Sequence, residues 1–383
     1  MRRFAIHTAM THRTAPLLHL RQLSTLILAV LCCSCTDPTP DVQEARSAAD
    51  SVAHANAERA HRARVDSITR RFPAITYTRT VIRDEEMRDS VRRTFARTDS
   101  TWTLYRAFTT VNRKDIQFFR VGDTVMFPSS YEKDLRAYSV FPQWYEQGRD
   151  IEKIVVISNR WQSYACYQFG ELVRFAAVNT GEEGKPTFPG RYAVNWKERF
   201  RLSSLDSTWK LPFTVNFHQY AGSAFHQFDM PGRPVSHSCV RQFLSDAEWL
   251  FKWVRSAKRD TNGRPIAFTG TPVIILDMFD YSRRRGGPWW DINSNNAVVI
   301  ALPKDPMNVE EALIPISQIP KDVRGALPRA SRYRDAESVL RERGIIREQA
   351  VLKESVNWNK VRAERRRKKE LEAARKAADS TAR

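Results

Sequence analysis

Cys239, three histidines (His218, His226 and His237) and Arg241 fall within 24 residues of one another. That set of side chains can do acyl-transfer chemistry. A free thiol has a pKa near 8.5, and its thiolate is a strong nucleophile. A neighbouring imidazole can take the thiol proton and later return it to a leaving amine. An arginine or backbone N–H groups can stabilise the oxyanion that develops on the attacked carbonyl. Zinc is the competing reading, because His and Cys are also its ligands. A single residue separates His237 from Cys239, and no second cysteine pair lies nearby. Both facts weigh against a metal. The plain alternative is a buried cysteine among solvent-facing histidines.

The run Ser236-His237-Ser238-Cys239-Val240-Arg241 resembles the Ser-His-Gly-Cys-hydrophobic-Arg signature of the L,D-transpeptidase (YkuD-like) catalytic domain. The flanking pieces occur in that family's order. Val178 to Gly181 and Lys185 to Tyr192 resemble its strand–turn, Gly222 to His226 its small-residue strand ending in a histidine, and Gly270 to Val273 its closing strand. The resemblance runs from about Asp150 to Asp277, roughly a third of the chain. It implies a mainly β, sandwich-like catalytic domain with short helices, and an enzyme that is a cysteine-dependent acyltransferase. Cys239 would attack the amide before the terminal D-Ala of a peptidoglycan tetrapeptide stem, and a second amine would resolve the thioester. An L,D-carboxypeptidase, with water as acceptor, and a non-catalytic wall-binding protein are the alternatives. His226 would be the general base and acid, with His218 as the alternative. His237, Arg241, Ser236 and Ser238 would shape the site, and Gly222, Gly232, Tyr220 and Phe228 would contact substrate. No cofactor or metal is implied.

Two departures stand out. Ser238 occupies the signature's glycine position, which costs about 1 kcal/mol if the backbone there has positive φ. His226 precedes Ser236 by ten positions and His218 by eighteen. The Gly222-Ser-Ala-Phe run before His226 favours His226.

The elements that must hold these residues are legible in outline. Ile154 to Ser158, Gln162 to Gly170, Leu172 to Val178 and Phe268 to Leu276 read as strands and hairpins. Ser245 to Ala257 reads as a helix with Asp246 near its start as a cap. Cys166 sits in a predicted strand among apolar neighbours and reads as core. Trp196 and Trp209, like Tyr220 and Phe228, could line a glycan or peptide site. The catalytic domain is placed at 149–280, after a helical spacer (36–71) and a small accessory region (72–148). Short β-rich pieces, Ile116 to Phe119 among them, occur in that region. Its segment near 102–130 resembles the closing half of a LysM-type glycan-binding module, although a plain hairpin fits as well. A C-terminal extension (281–350) and a basic helical tail (351–383) follow.

With 42% hydrophobic residues among 383, the chain can bury a core. Five cysteines are too few and too scattered for a disulfide scaffold. Residues 1–35 carry Arg2, Arg3, Arg13 and Arg21, then an apolar run from Leu23 to Leu31, then Cys32-Cys33-Ser34-Cys35. This pattern reads as a signal peptide. It resembles a lipobox with lipidation at Cys35, although Cys32 stands where leucine is usual and Cys33 is an alternative site. The expectation is an exported, membrane-anchored lipoprotein of the cell envelope or periplasm. Its partners would be peptidoglycan stem peptides, with no nucleic acid, and its oligomeric state is not fixed by the sequence. Of the net charge of +19, the leader holds +4 and the tail +6, which moves the polyanion signal to the two ends.

Overall fold

A computed structural model describes residues 40–283 and 285–381, so the leader and Cys35 lie outside the described residues. Helix α1 (Pro40–Thr69) is built of alanines and charged side chains. Such residues favour helix without creating a core-facing stripe. Only near its end do His61, Val65 and Ile68 turn inward at helical spacing. There His61 meets Glu146 at 3.2 Å. Among the described residues no helix is long and apolar enough to cross a membrane.

Strand β1 (Tyr77–Val81), helices α2 (Glu85–Thr94) and α3 (Trp102–Asn112) and strand β2 (Thr124–Pro128) form a β-α-α-β module. β1 and β2 pair antiparallel, Tyr77 opposite Pro128 and Val81 opposite Thr124. Ile82, Val91, Phe95, Phe108, Phe119 and Val125 make its core, with Phe95 stacked on Phe108 at 3.9 Å. The segment near 102–130 is therefore no simple hairpin: the partner of its strand lies before both helices. The β-rich reading of Ile116 to Phe119 also gives way. Ile116–Phe118 is a 3-10 turn, because the Asp115 carboxylate accepts the Ile116 N–H and starts a turn there.

Residues 154–275 form one sheet of nine strands. In chain order these are β3 (Ile154–Ser158), β4 (Ser163–Gln168), β5 (Glu171–Asn179), β6 (Gly190–Ala193), β7 (Trp196–Leu202), β8 (Lys210–His218), β9 (Ser223–Gln227), β10 (Val240–Gln242) and β11 (Pro272–Ile275). Their spatial order is β6-β11-β3-β4-β5-β10-β9-β8-β7. Most pairings are antiparallel, but β10 runs parallel to β9 and β11 parallel to β3. The sheet curls until its ends approach. Asn195 N–H bonds the Asn216 carbonyl at 2.8 Å, and the Tyr192 and Phe217 rings meet edge to face at 5.2 Å.

Alternation along the central strands feeds two cores. Val155, Ile157, Tyr164 and Cys166 face one, with Val215, Phe225, Val240 and Leu250. Ile154, Val156, Ala165 and Tyr167 face the other, with Tyr138, Tyr145, Phe175 and Trp289. Each such large side chain stabilises the fold by about 1.5–3 kcal/mol through burial.

Helix α4 (Leu244–Trp253) is shorter than the sequence pattern suggests, and Asp246 does not cap it. Its carboxylate is fully buried and accepts from Arg106 of α3 at 2.6 Å and from Arg174 of β5 at 2.5 Å. That ion cluster ties the module to the sheet. Beyond β11 the chain makes short 3-10 turns, helix α5 (Ala330–Glu342), which buries Tyr333, Ala336 and Leu340, and helix α6 (Trp358–Thr381).

Candidate functional site

The β9–β10 pair positions the chemical groups. Its register sets Phe225 beside Val240 and His226 beside Arg241. Register partners in a parallel pair share a face, and residues two apart share it too. Ala224, His226, Cys239 and Arg241 therefore lie on one face, while Phe225 and Val240 point into the core. The first face lines a cavity of about 310 Å3. Cys239, His226, His237, Arg241, Ser236, Gly222, Tyr220 and Phe228 all contribute to its wall, as do Trp196 and Trp209.

Cys239 is half-buried at the mouth of β10 and unpaired. Its thiol lies 3.8 Å from the Gly222 carbonyl, a weak hydrogen bond. Burial pushes the thiol pKa up, while the Ala224 N–H and the Arg241 charge pull it back. His226 is buried, with Nδ1 at 2.9 Å from the Gln227 carbonyl. A carbonyl can only accept, so Nδ1 carries the proton and Nε2 keeps its lone pair. Burial holds the imidazolium pKa down at about 4. Burial thus favours the neutral form of each group, the thiol of Cys239 and the imidazole of His226.

His218 has other company. Its Nδ1 accepts the Ala221 N–H at 3.1 Å, and its ring sits against Tyr192 and Tyr333 at 6.1 and 6.2 Å. It does not line the cavity. His237 does, with its ring 5.1 Å from that of Trp209. The Arg241 guanidinium lies 4.6 Å over Phe228 and donates to the Asp229 and Val235 carbonyls at 3.3 Å each. Ser236 braces the turn, with its hydroxyl donating to the Cys239 carbonyl.

Gly232 is buried away from the cavity, contrary to the expectation that it contacts substrate. With φ at +86° it turns the loop between His226 and Ser236, and its N–H bonds the Asn179 side chain at 2.9 Å. Lys114 packs where a Cβ would be. The same loop is held from α3's end: Asp115 N–H donates to the Met230 carbonyl at 2.8 Å, and Lys114 bridges Pro231. Arg113 is buried there with no carboxylate partner among the described residues, its pKa pushed down to about 10 by burial, and it donates to the Trp161 carbonyl at 3.2 Å.

Ser238 adopts φ of +76°. Its hydroxyl exchanges a 2.8 Å hydrogen bond with that of Ser223 on β9. The serine thus meets the strain of a glycine position while linking the turn to the neighbouring strand. Ser238→Gly relieves the strain and loses that bond, each worth about 1 kcal/mol. Denaturation should place the variant within about 1 kcal/mol of the parent. A loss beyond 2 kcal/mol would show that the hydroxyl bond dominates.

Cys166 is buried in β4, and among the described residues both cysteines are free. No three His, Cys, Asp or Glu side chains among the described residues gather closely enough to hold a metal ion. Pro320, Asp322, Val323 and Asn357 also line the cavity. Nothing in their local sequence signals a site, and only the fold brings them to it.

Residues 152–275 match the family model of the YkuD L,D-transpeptidase catalytic domain. No curated protein matches the chain. Among solved structures, the chain is similar to an L,D-transpeptidase from Mycobacterium smegmatis, at 16% identity and a TM-score of 0.27, over 33% of this chain and 58% of that one. It is also similar to one from Stackebrandtia nassauensis, at 16% identity and 0.30, over 51% and 78%. A third is from Xylanimonas cellulosilytica, at 21% identity and 0.29, over 53% and 99%. The chain spans less than two thirds of the length of the M. smegmatis structure.

Proposed function

We propose that the L,D-transpeptidase catalytic domain at residues 152–275 works as a cysteine acyltransferase on peptidoglycan stem peptides, cross-linking or remodelling the cell wall. The observation that carries this reading is the shared face of β9 and β10, where Cys239, His226 and Arg241 line one cavity.

In this reading His226 Nε2 takes the thiol proton as sulfur attacks the amide carbonyl before the terminal D-Ala of a tetrapeptide stem. The C–S bond forms, the C–N bond breaks, and the proton passes to the leaving amine. An acceptor amine then attacks the thioester. Its nitrogen forms the new amide as the C–S bond breaks, and the proton it loses returns to sulfur through His226. Backbone N–H groups beside Cys239 stabilise the oxyanion. Arg241, whose hydrogen bonds among the described residues go to carbonyls, is available for a substrate carboxylate. His237, supported by Trp209, and Ser236 hold the shape of the turn. Gly222, Tyr220 and Phe228 contact the stem. The reaction needs no ATP, which suits an envelope enzyme. In the same reading the protein is exported by the 1–35 leader and tethered to a membrane through Cys35.

The test is direct. Purified protein incubated with tetrapeptide muropeptides should yield cross-linked dimers by mass spectrometry, together with a thioester on Cys239. Tripeptide alone would indicate a hydrolase. No change and no adduct on Cys239 would overturn both.

The pH profile is a second check. His226 works as base only when neutral, and its pKa is held near 4. Activity per folded molecule should therefore fall only as pH drops through about 4. A limb of kcat/KM at the ordinary imidazole value near 6.5 would contradict this.

A further inference from the structure

Helix α6 begins at the rim of the cavity, and its first turn holds two opposing walls. One wall is the loop joining β7 to β8, which supplies Ser203, Ser204, Leu205 and Trp209. Asn359 grips that loop four times. Its backbone N–H donates to the Leu205 carbonyl at 3.1 Å, its side-chain amide donates to the Ser203 and Ser204 carbonyls at 3.3 and 3.0 Å, and its side-chain oxygen accepts the Ser207 N–H at 2.8 Å. Arg362 adds a two-pronged pair to Asp206, at 2.7 and 3.2 Å. The opposite wall carries Asp322, which Lys360 meets at 2.9 Å and Asn357 at 3.4 Å. Past Arg362 the described side chains of the helix are exposed.

The gripped loop carries Trp209, which lies against His237 beside Cys239. Asp206 anchors both ends of the contact, since its carboxylate also accepts the Thr208 N–H and hydroxyl at 3.0 and 2.7 Å. A loop tied by its carbonyls, an N–H and a bidentate ion pair has little freedom to lift.

We propose that the first turn of α6 is a latch that keeps the β7–β8 loop closed over the thioester and thereby sets the partition between amine transfer and hydrolysis. This rests on the acyl-enzyme reading above. Asn359, Arg362 and Asp206 are positioning residues, because they act through the loop and not on the reacting atoms. Two fates compete for the thioester. Attack by an amine forms an amide and regenerates the thiol. Attack by water breaks the same C–S bond and leaves a carboxylate. Water is the smaller and more abundant nucleophile, so a cleft that opens favours it.

The experiment uses the full chain in detergent with tetrapeptide muropeptides as donor and acceptor, and compares the parent with Arg362→Ala, Asn359→Ala and Arg362→Lys. The expected result in both alanine variants is a five- to tenfold rise in the ratio of tripeptide to cross-linked dimer. The rate of thioester formation on Cys239 should stay within about twofold, since the reacting groups are untouched. Arg362→Lys keeps the charge but not the two-pronged grip, and should fall between parent and alanine. Hydrogen exchange should rise in residues 203–209 in step with the ratio. Unchanged exchange there in both alanine variants overturns the latch, whether or not the protein turns over. Faster exchange with an unchanged product ratio overturns its role in partition. A parent chain that forms no thioester overturns the acyl-transfer reading and the partition with it, leaving exchange to decide the latch alone. Arg362→Lys serves as the folded comparator should an alanine variant fail to fold.

Discussion

His226→Ala should lower kcat/KM for stem-peptide transfer by about a hundredfold or more, while His218→Ala should leave turnover per folded molecule within a fewfold of the parent. The difference follows from what each ring touches. His226 lies on the cavity face in register with Arg241, with Nδ1 committed to the Gln227 carbonyl and Nε2 left with its lone pair. A positioned general base contributes about 10^2–10^4 in rate. His218 instead accepts the Ala221 N–H and packs between Tyr192 and Tyr333. Its removal leaves that N–H without its partner and a gap between two rings, a stability cost of about 1–3 kcal/mol. Steady-state kinetics beside denaturant titration of both variants separates the two effects. A catalytic collapse in His218→Ala with a normal His226→Ala would reverse the assignment.

Asp246→Ala should cost about 3–5 kcal/mol, because it strands the buried Arg106 guanidinium and leaves the half-buried Arg174 beside it without a counter-charge. Asp246 is fully buried, and Arg106 is 5% exposed. Burial alone would raise the carboxyl pKa, but Arg106 and Arg174 outweigh it and hold the group below the usual carboxylate range. The sign of the pH dependence follows. With the folded value depressed, the stabilisation is present above the unfolded value near 3.9 and is lost as pH falls through the lower folded one. Urea titration at neutral pH checks the magnitude, and a loss under 1 kcal/mol would show that water reaches the two arginines.

Much of this site can be read from residue order, and the reasons are local. Ser236 to Arg241 is a contiguous turn and strand, so its spacing survives folding intact. The Gly222-Ser-Ala-Phe-His226 strand is equally local, and its alternation fixes which side chains share a face. The β strands of 154–178 announce themselves because apolar runs flanked by turns have few other fates. What could not be read depends on distant pairings. Asp246 has the position of a helix cap and becomes the centre of an ion cluster only because α3, more than a hundred residues earlier, brings Arg106 to it. Ile116 to Phe119 has strand composition, but the neighbouring Asp115 carboxylate starts a turn there. Gly232 looks like part of a substrate loop, and it is packing against Lys114 that removes it from the cavity. Asp322 from the C-terminal extension and Asn357 from the tail reach the cavity with no motif at all.

The seam between the β-α-α-β module and the loop after His226 has a consequence for how the chain behaves as a mechanical object. Arg113, Lys114 and Asp115 belong to the module, yet each also bonds across the seam, to Trp161, Pro231 and Met230 of the nine-stranded region. The module is not a cassette on a leash that could be exchanged for another or deleted without loss. It is bonded to the loop between His226 and Ser236, so that a pull on one is felt by the other. A load on the module would be transmitted to the segment between His226 and Cys239, and the two parts should melt in a single calorimetric transition.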